Sequence, residues 1–119
     1  TKQYKDVKCF NVGIGSRTSI VHFDDGHAQN SGVVHIVRNS DNPNIVLSLD
    51  SLTLDPVSFI KIDVEGHELS SFEGMKLLLE RDKPLIWLED NKGKAVPYLQ
   101  SLGYKILEED KLTNDYLMI

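Results

Sequence analysis

The chain has one cysteine, one tryptophan and no long apolar run, and each shortage excludes something. Cys9 has no partner for an internal disulfide, and without a CxxC pair or a Cys/His cluster there is no structural zinc pattern. A reducing, cytoplasmic setting is the expectation. No segment approaches the ~18–20 apolar residues of a membrane span, and Thr1-Lys2-Gln3-Tyr4-Lys5 has no signal-peptide core. Basic residues are outnumbered, 13 against 18 acidic, giving a formal charge of −5. No Lys/Arg run is present to neutralise successive phosphates, which argues against nucleic acid and against an anionic membrane as partners.

What remains is 119 residues with 40% hydrophobic side chains, enough for a single soluble domain at roughly 150 residues per domain. The opening on Thr1, without an initiator Met and running almost at once into a strand, suggests a piece of something longer. Val7 to Val12 is rich in β-formers and ends at Gly13-Ile14-Gly15, so it reads as a strand and turn. Thr18 to Phe23 alternates enough to pair with that strand or with Val33 to Val37. Asp24 to His27 and Asn30 to Gly32 are turn chemistry, and residues 38–44 are expected to form a mobile polar loop. Ile45 to Leu54 carries a short extended piece and the step Leu49-Asp50-Ser51-Leu52, and Asp55-Pro56 acts as a stop.

The second half has a clearer rhythm. Val57 to Asp63 is nearly continuous apolar sequence, as in a strand buried on both faces of a parallel sheet. From His67 to Arg81 the residues Leu69, Phe72, Met75, Leu78 and Leu79 recur at helical spacing, predicting one amphipathic helix of about four turns. Pro84 to Glu89 reads as a second buried strand, Lys94 to Leu102 as a helix, and Tyr104 to Leu107 and Tyr116 to Ile119 as strands. Alternating strands and helices with short links imply β-α-β crossovers, hence a three-layer α/β sheet. Ligands of such sheets lie beyond the carboxyl ends of the strands. Those ends are acidic: Asp63-Val64-Glu65-Gly66 and Glu89-Asp90-Asn91.

Asp63, Glu65, His67 and Glu68 put four ionisable groups just after one strand. A carboxylate there can act as general base, orient a hydroxyl or bind a hard cation, and His67 can join it near neutral pH. The structural alternative sets Glu65 and Glu68 against the positive end of the helix dipole. That reading is preferred for Glu68. Asp63 lies before the turn and is the better functional candidate. If the two strands are neighbours, Glu89 faces Asp63 across one crevice; otherwise it is a loop acid beside Lys92 and Lys94. Asp90 and Asn91 look like a cap and turn. Gly13-Ile14-Gly15 lacks the third glycine of a nucleotide loop, and His22, His27 and His35 follow no ligand spacing. Trp87 and Cys9 read as core, and no G-x-S-x-G elbow is present.

Phe59-Ile60-Lys61-Ile62-Asp63-Val64-Glu65-Gly66-His67-Glu68-Leu69, followed by Glu73-Gly74 and Pro84 to Glu89, resembles the C-terminal half of the FkbM-type methyltransferase domain. Asn11 to Gly15, Leu49 to Leu52 and Gly103-Tyr104 extend the resemblance over about residues 7 to 119. It implies a partial Rossmann-like methyltransferase fold and transfer of a methyl group from S-adenosylmethionine, usually to a hydroxyl of a small molecule or sugar. It further implies Asp63 near the transferred methyl, with Glu65 and His67 beside it. Glu89 is the acid after the next strand, and Asn11 lies at a strand end near the cofactor. No residue is assigned to a metal. The family's Gly-rich cofactor loop and the acid that holds the ribose find no counterpart before Val7. The chain is therefore expected to be a partial domain, inactive alone, and either marginally stable or self-associating through an exposed sheet edge. The alternatives are a non-catalytic interaction module, or a divalent-cation site made of Asp63, Glu65, His67 and Glu89.

Overall fold

A computed structural model describes the backbone of residues 5–24, 35–37 and 43–119, and the side chains of 5–20 and 44–119. Short elements alternate through the chain and form two four-stranded sheets, a mixed α/β architecture. The first sheet holds β1 (Gly13–Ile14), β2 (Ser19–Asp24), β3 (His35–Val37) and β4 (Pro43–Leu47) in the order β1-β4-β2-β3. β2 is antiparallel to both β3 and β4, while β1 runs parallel to β4. The expected pairing of the second segment with the third is therefore present. The strand expected over Val7 to Val12 is not: regular pairing is confined to Gly13–Ile14, and Val7 and Phe10 are exposed. β-propensity there has no partner strand to pair with among the described residues, and Cys9, expected in the core, is exposed with it. β4 also begins earlier than the polar sequence suggests, at Pro43. Residues 25–34 and 38–42, which carry the expected turns, His27 and most of the polar loop, lie outside the described residues.

The second sheet contains β5 (Phe59–Ile62), β6 (Leu85–Glu89), β7 (Ile106–Asp110) and β8 (Asp115–Met118), ordered β5-β6-β8-β7. β5 and β6 are parallel and are joined by α1 (Glu68–Glu73) and α2 (Lys76–Asp82); α3 (Ala95–Ser101) follows β6. β8 lies antiparallel between β6 and β7. Period-two geometry sends Ile62, Ile86, Leu88 and Met118 to one face. There they pack with Phe72, Met75, Leu78 and Leu79 of the helical connection and with Ala95, Val96 and Leu99 of α3. Tyr104 closes this core, its hydroxyl donating to the Pro84 carbonyl at 2.8 Å.

Only that face is covered among the described residues. Phe59, Lys61 and Trp87 point the other way, and Phe59 and Trp87 keep 47% and 43% of their surface. The nearly unbroken apolar run of β5 therefore belongs to a strand covered on one side, not to the middle of three layers, and Trp87 is not core. Lys61 lies over the Trp87 ring, its Nζ 4.8 Å from the ring centre.

The expected four-turn helix is broken in two. Gly74 is buried against the chain after β1, where a methyl group on its Cα would sit 1.9 Å from the Gly15 carbonyl oxygen. Its own carbonyl accepts from the Asp50 N–H at 2.9 Å and the Ser48 hydroxyl at 2.7 Å. Asp50 then starts α2 from outside it, Oδ2 accepting from Leu77 N–H at 2.9 Å and Oδ1 from Leu78 N–H at 3.0 Å. These two amides begin the helix and have no intrahelical acceptor, so the short 3₁₀ turn Leu49–Ser51 serves as a remote cap. Among the described residues no helix is long and apolar enough to cross a membrane.

Candidate functional site

The strand pairing decides which acids meet. In the β5/β6 ladder Ile62 pairs with Leu88, so Asp63 and Glu89 follow side by side at the carboxyl ends of parallel strands. Glu89 is in turn opposite Asp115 at the start of β8. Asp63, Glu89 and Asp115 thus stand in a row across three strands and line one cleft of about 210 Å³, with Lys61 and Trp87. Asp63 is exposed and Glu89 half-buried, so both are within reach of a solute. A larger hollow of about 330 Å³ on the same open face, toward β7, shares Trp87 and Asp115 with this cleft.

The other sequence candidates go elsewhere. Glu65 is exposed on the turn after β5 and holds a left-handed backbone, φ 49°. His67 occupies the N-cap position of α1 without a side-chain capping bond, and its carbonyl accepts from the Ser71 N–H and hydroxyl. Neither lines the cleft of Asp63 and Glu89. Glu68 is buried, 1% exposed, and its Oε1 accepts from the Gly66 N–H at 3.1 Å. Asn11 is exposed near β1, in the part of the chain that forms the first sheet. Asp90 is a cap, as its sequence context suggests: Oδ1 accepts from Ala95 N–H at 3.2 Å and Oδ2 from Val96 N–H at 3.0 Å, at the start of α3. His22 and His35 lie on β2 and β3.

Among the described residues no three His, Cys, Asp or Glu side chains are grouped so as to hold a metal ion. The four-residue cation site of Asp63, Glu65, His67 and Glu89 is therefore not assembled. Sequence reasoning missed Asp115, which reaches the cleft only because β8 inserts antiparallel beside β6. It also missed Asp50 as a cap, although the Leu49-Asp50-Ser51-Leu52 step marks a short turn with an acid free to cap.

Chemically, the cleft offers two adjacent carboxylates from parallel strands, a third from β8, and an ammonium and an indole on the neighbouring wall. Such a site can accept hydrogen bonds from hydroxyl or amine groups and can take up a proton. No curated protein and no solved structure matches the chain. The methyltransferase FkbM domain matches it over residues 5–106, a span that contains Asp63 and Glu89. The chain belongs to the FkbM methyltransferase family.

Proposed function

We propose that the chain supplies the acceptor-side half of an S-adenosylmethionine-dependent O-methyltransferase domain, with Asp63 handling the acceptor hydroxyl of a small molecule or sugar. The observation that carries this reading is the placement of Asp63 beside Glu89 at the carboxyl ends of β5 and β6, where parallel α/β sheets bind their ligands. That placement, with helices connecting and following the parallel pair, also supports a partial Rossmann-like fold.

By itself the cleft is small for a whole methyl donor. Sites for cofactor-sized ligands enclose roughly 300–1,000 Å³, and this one measures about 210 Å³. Its three carboxylates suit the hydroxyls of an acceptor, while Asn11, the one residue assigned to the cofactor, is not among its lining. In this reading Asp63 accepts the hydrogen bond of the acceptor hydroxyl, aims its oxygen lone pair and takes its proton as the methyl group is transferred. Glu89 keeps the second side of the hydroxyl-bearing group in register. Positioning of this kind supplies much of the acceleration of a two-substrate reaction. Glu65 and His67, outside the cleft, contribute through the turn that carries Asp63.

The test is calorimetric titration of S-adenosylhomocysteine into the protein that carries this chain, wild type and Asp63→Asn. Binding that is equally tight in both, with methyl transfer lost in the variant, supports an acceptor-side role. Loss of S-adenosylhomocysteine binding in the variant moves Asp63 to the donor side.

One observation favours a second reading. The outer edge of β5 has no partner strand among the described residues, and Phe59 is exposed beside it. Such an edge is a template for pairing with a second copy or another protein. Sedimentation at two concentrations tenfold apart tests pairing with a second copy, and an unchanged monomeric mass removes that pairing.

A further inference from the structure

The turn that leads away from Asp63 has an uncommon backbone. Glu65 and Gly66 are consecutive left-handed residues, at φ 49° and 92°, and a non-glycine residue enters that region only at a cost. Conformations of this kind persist when their surroundings over-determine them. Here the surroundings are specific. The turn closes on itself through His67 N–H to the Val64 carbonyl at 3.2 Å. On one side the Glu68 carboxylate, almost fully buried, accepts the Gly66 N–H. On the other, the flexible end of the exposed Lys92, in the loop after β6, lies over Gly66.

Burial of a carboxylate is costly unless hydrogen bonds compensate it. Glu68 is in the first turn of α1, where an exposed acid would gain the same dipole interaction without that cost. Its Oε1 is compensated by the amide that it holds. The next strand end is held by its own cap, Asp90, which anchors the segment between Glu89 and the start of α3.

We propose that Glu68 clamps the Gly66 turn and so acts as a positioning residue, fixing Asp63 relative to Glu89. The clamp rests on the reading of Asp63 as the residue that handles the acceptor, but its first test needs no turnover. Amide hydrogen exchange and backbone resonances are measured for wild type, Glu68→Gln, Glu68→Ala and Glu68→Asp. Glu68→Gln keeps an Oε1 acceptor, and Gly66 exchange stays within about threefold of wild type. Glu68→Ala speeds Gly66 exchange at least tenfold and shifts the Asp63 and Val64 amide resonances, while the Leu88 and Met118 amides in the sheet keep their protection. In turnover, Glu68→Ala lowers kcat with KM for the acceptor unchanged, and Glu68→Gln recovers it.

Equal Gly66 exchange in wild type and Glu68→Ala overturns the clamp, as does a Gln variant that behaves like Ala. Should Glu68→Ala fail to fold, Glu68→Asp decides: its shorter side chain withdraws the acceptor from the Gly66 N–H, so faster Gly66 exchange supports the clamp and unchanged exchange overturns it. If Asp63→Asn leaves turnover intact while the exchange results hold, the role of Asp63 fails and the clamp stands.

Discussion

Gly74→Ala tests the helix break directly, because two arguments give opposite signs. Gly74 has an ordinary right-handed backbone, φ −77° and ψ −3°, so intrinsic propensity favours alanine by up to about 1 kcal/mol. Against this, the new methyl would lie 1.9 Å from the Gly15 carbonyl oxygen, where ordinary contact begins at 3.4 Å. The obstacle is backbone and has no rotamer to escape into. Relief requires a shift of about 1.5 Å, and overpacking of this kind costs about 1–3 kcal/mol. The shift also strains the two bonds to the Gly74 carbonyl and displaces Asp50 from Leu77 and Leu78, worth roughly another 1 kcal/mol. The net expectation is a loss of about 1–3 kcal/mol, which moves the urea midpoint down by on the order of 1 M. Gly93→Ala is the control: at φ 67° with nothing within 4 Å, it costs about 1–2 kcal/mol from left-handed backbone alone. A Gly74→Ala protein as stable as wild type, or more stable, refutes the close approach of the α1/α2 junction to Gly15.

Further outcomes follow from other contacts. Asp50→Ala removes both outside acceptors of α2 and is expected to cost about 1–2 kcal/mol by denaturant titration, with Asp50→Asn closer to wild type. Burial pushes the Tyr104 phenol up to about 12. Its neutral form is thus favoured by the fold, and the corresponding stability is complete below the unfolded value near 10 and lost as pH rises toward 12. Tyr104→Phe should flatten that alkaline decline while costing about 1 kcal/mol at neutral pH through the lost bond to Pro84. Asp82 has the reverse sign. The Arg81 side chain, then the Val57 N–H, hold its carboxyl below the ordinary value of 3.8, so its contribution is present above that pH and fades as pH falls through the depressed value. Melting temperatures of Asp82→Asn and wild type should converge in acid. Cys9, being exposed, should react with a thiol reagent in the native protein as fast as after denaturation.

Much of the second half was legible because local pattern and tertiary environment agree there. The apolar runs ending at Asp63 and Glu89 form adjacent parallel strands, which meets the condition under which the sequence brings those acids together. The helix break at Gly74 was not legible, since Leu69 to Leu79 keep helical spacing across it and the cause is a backbone 59 positions away, at Gly15. Phe59 and Trp87 mislead for a related reason. Hydrophobicity reports that a position can be buried, whereas among the described residues the helices pack on the other face of their sheet. Near Cys9, β-propensity finds no partner strand among the described residues, and no strand forms there. Asp115 joins the site through antiparallel pairing of β8, a choice of neighbour that periodicity does not encode.

The most direct measurement is methyl transfer from labelled S-adenosylmethionine to a panel of sugar and small-molecule hydroxyl acceptors by the protein that carries this chain, compared with its Asp63→Asn variant. A side chain that takes a proton in the transition state contributes about 10²–10⁴-fold. The account predicts transfer by the wild type and a kcat lowered by at least about 10²-fold in the variant, with KM for the acceptor little changed. Undiminished turnover by Asp63→Asn would contradict it.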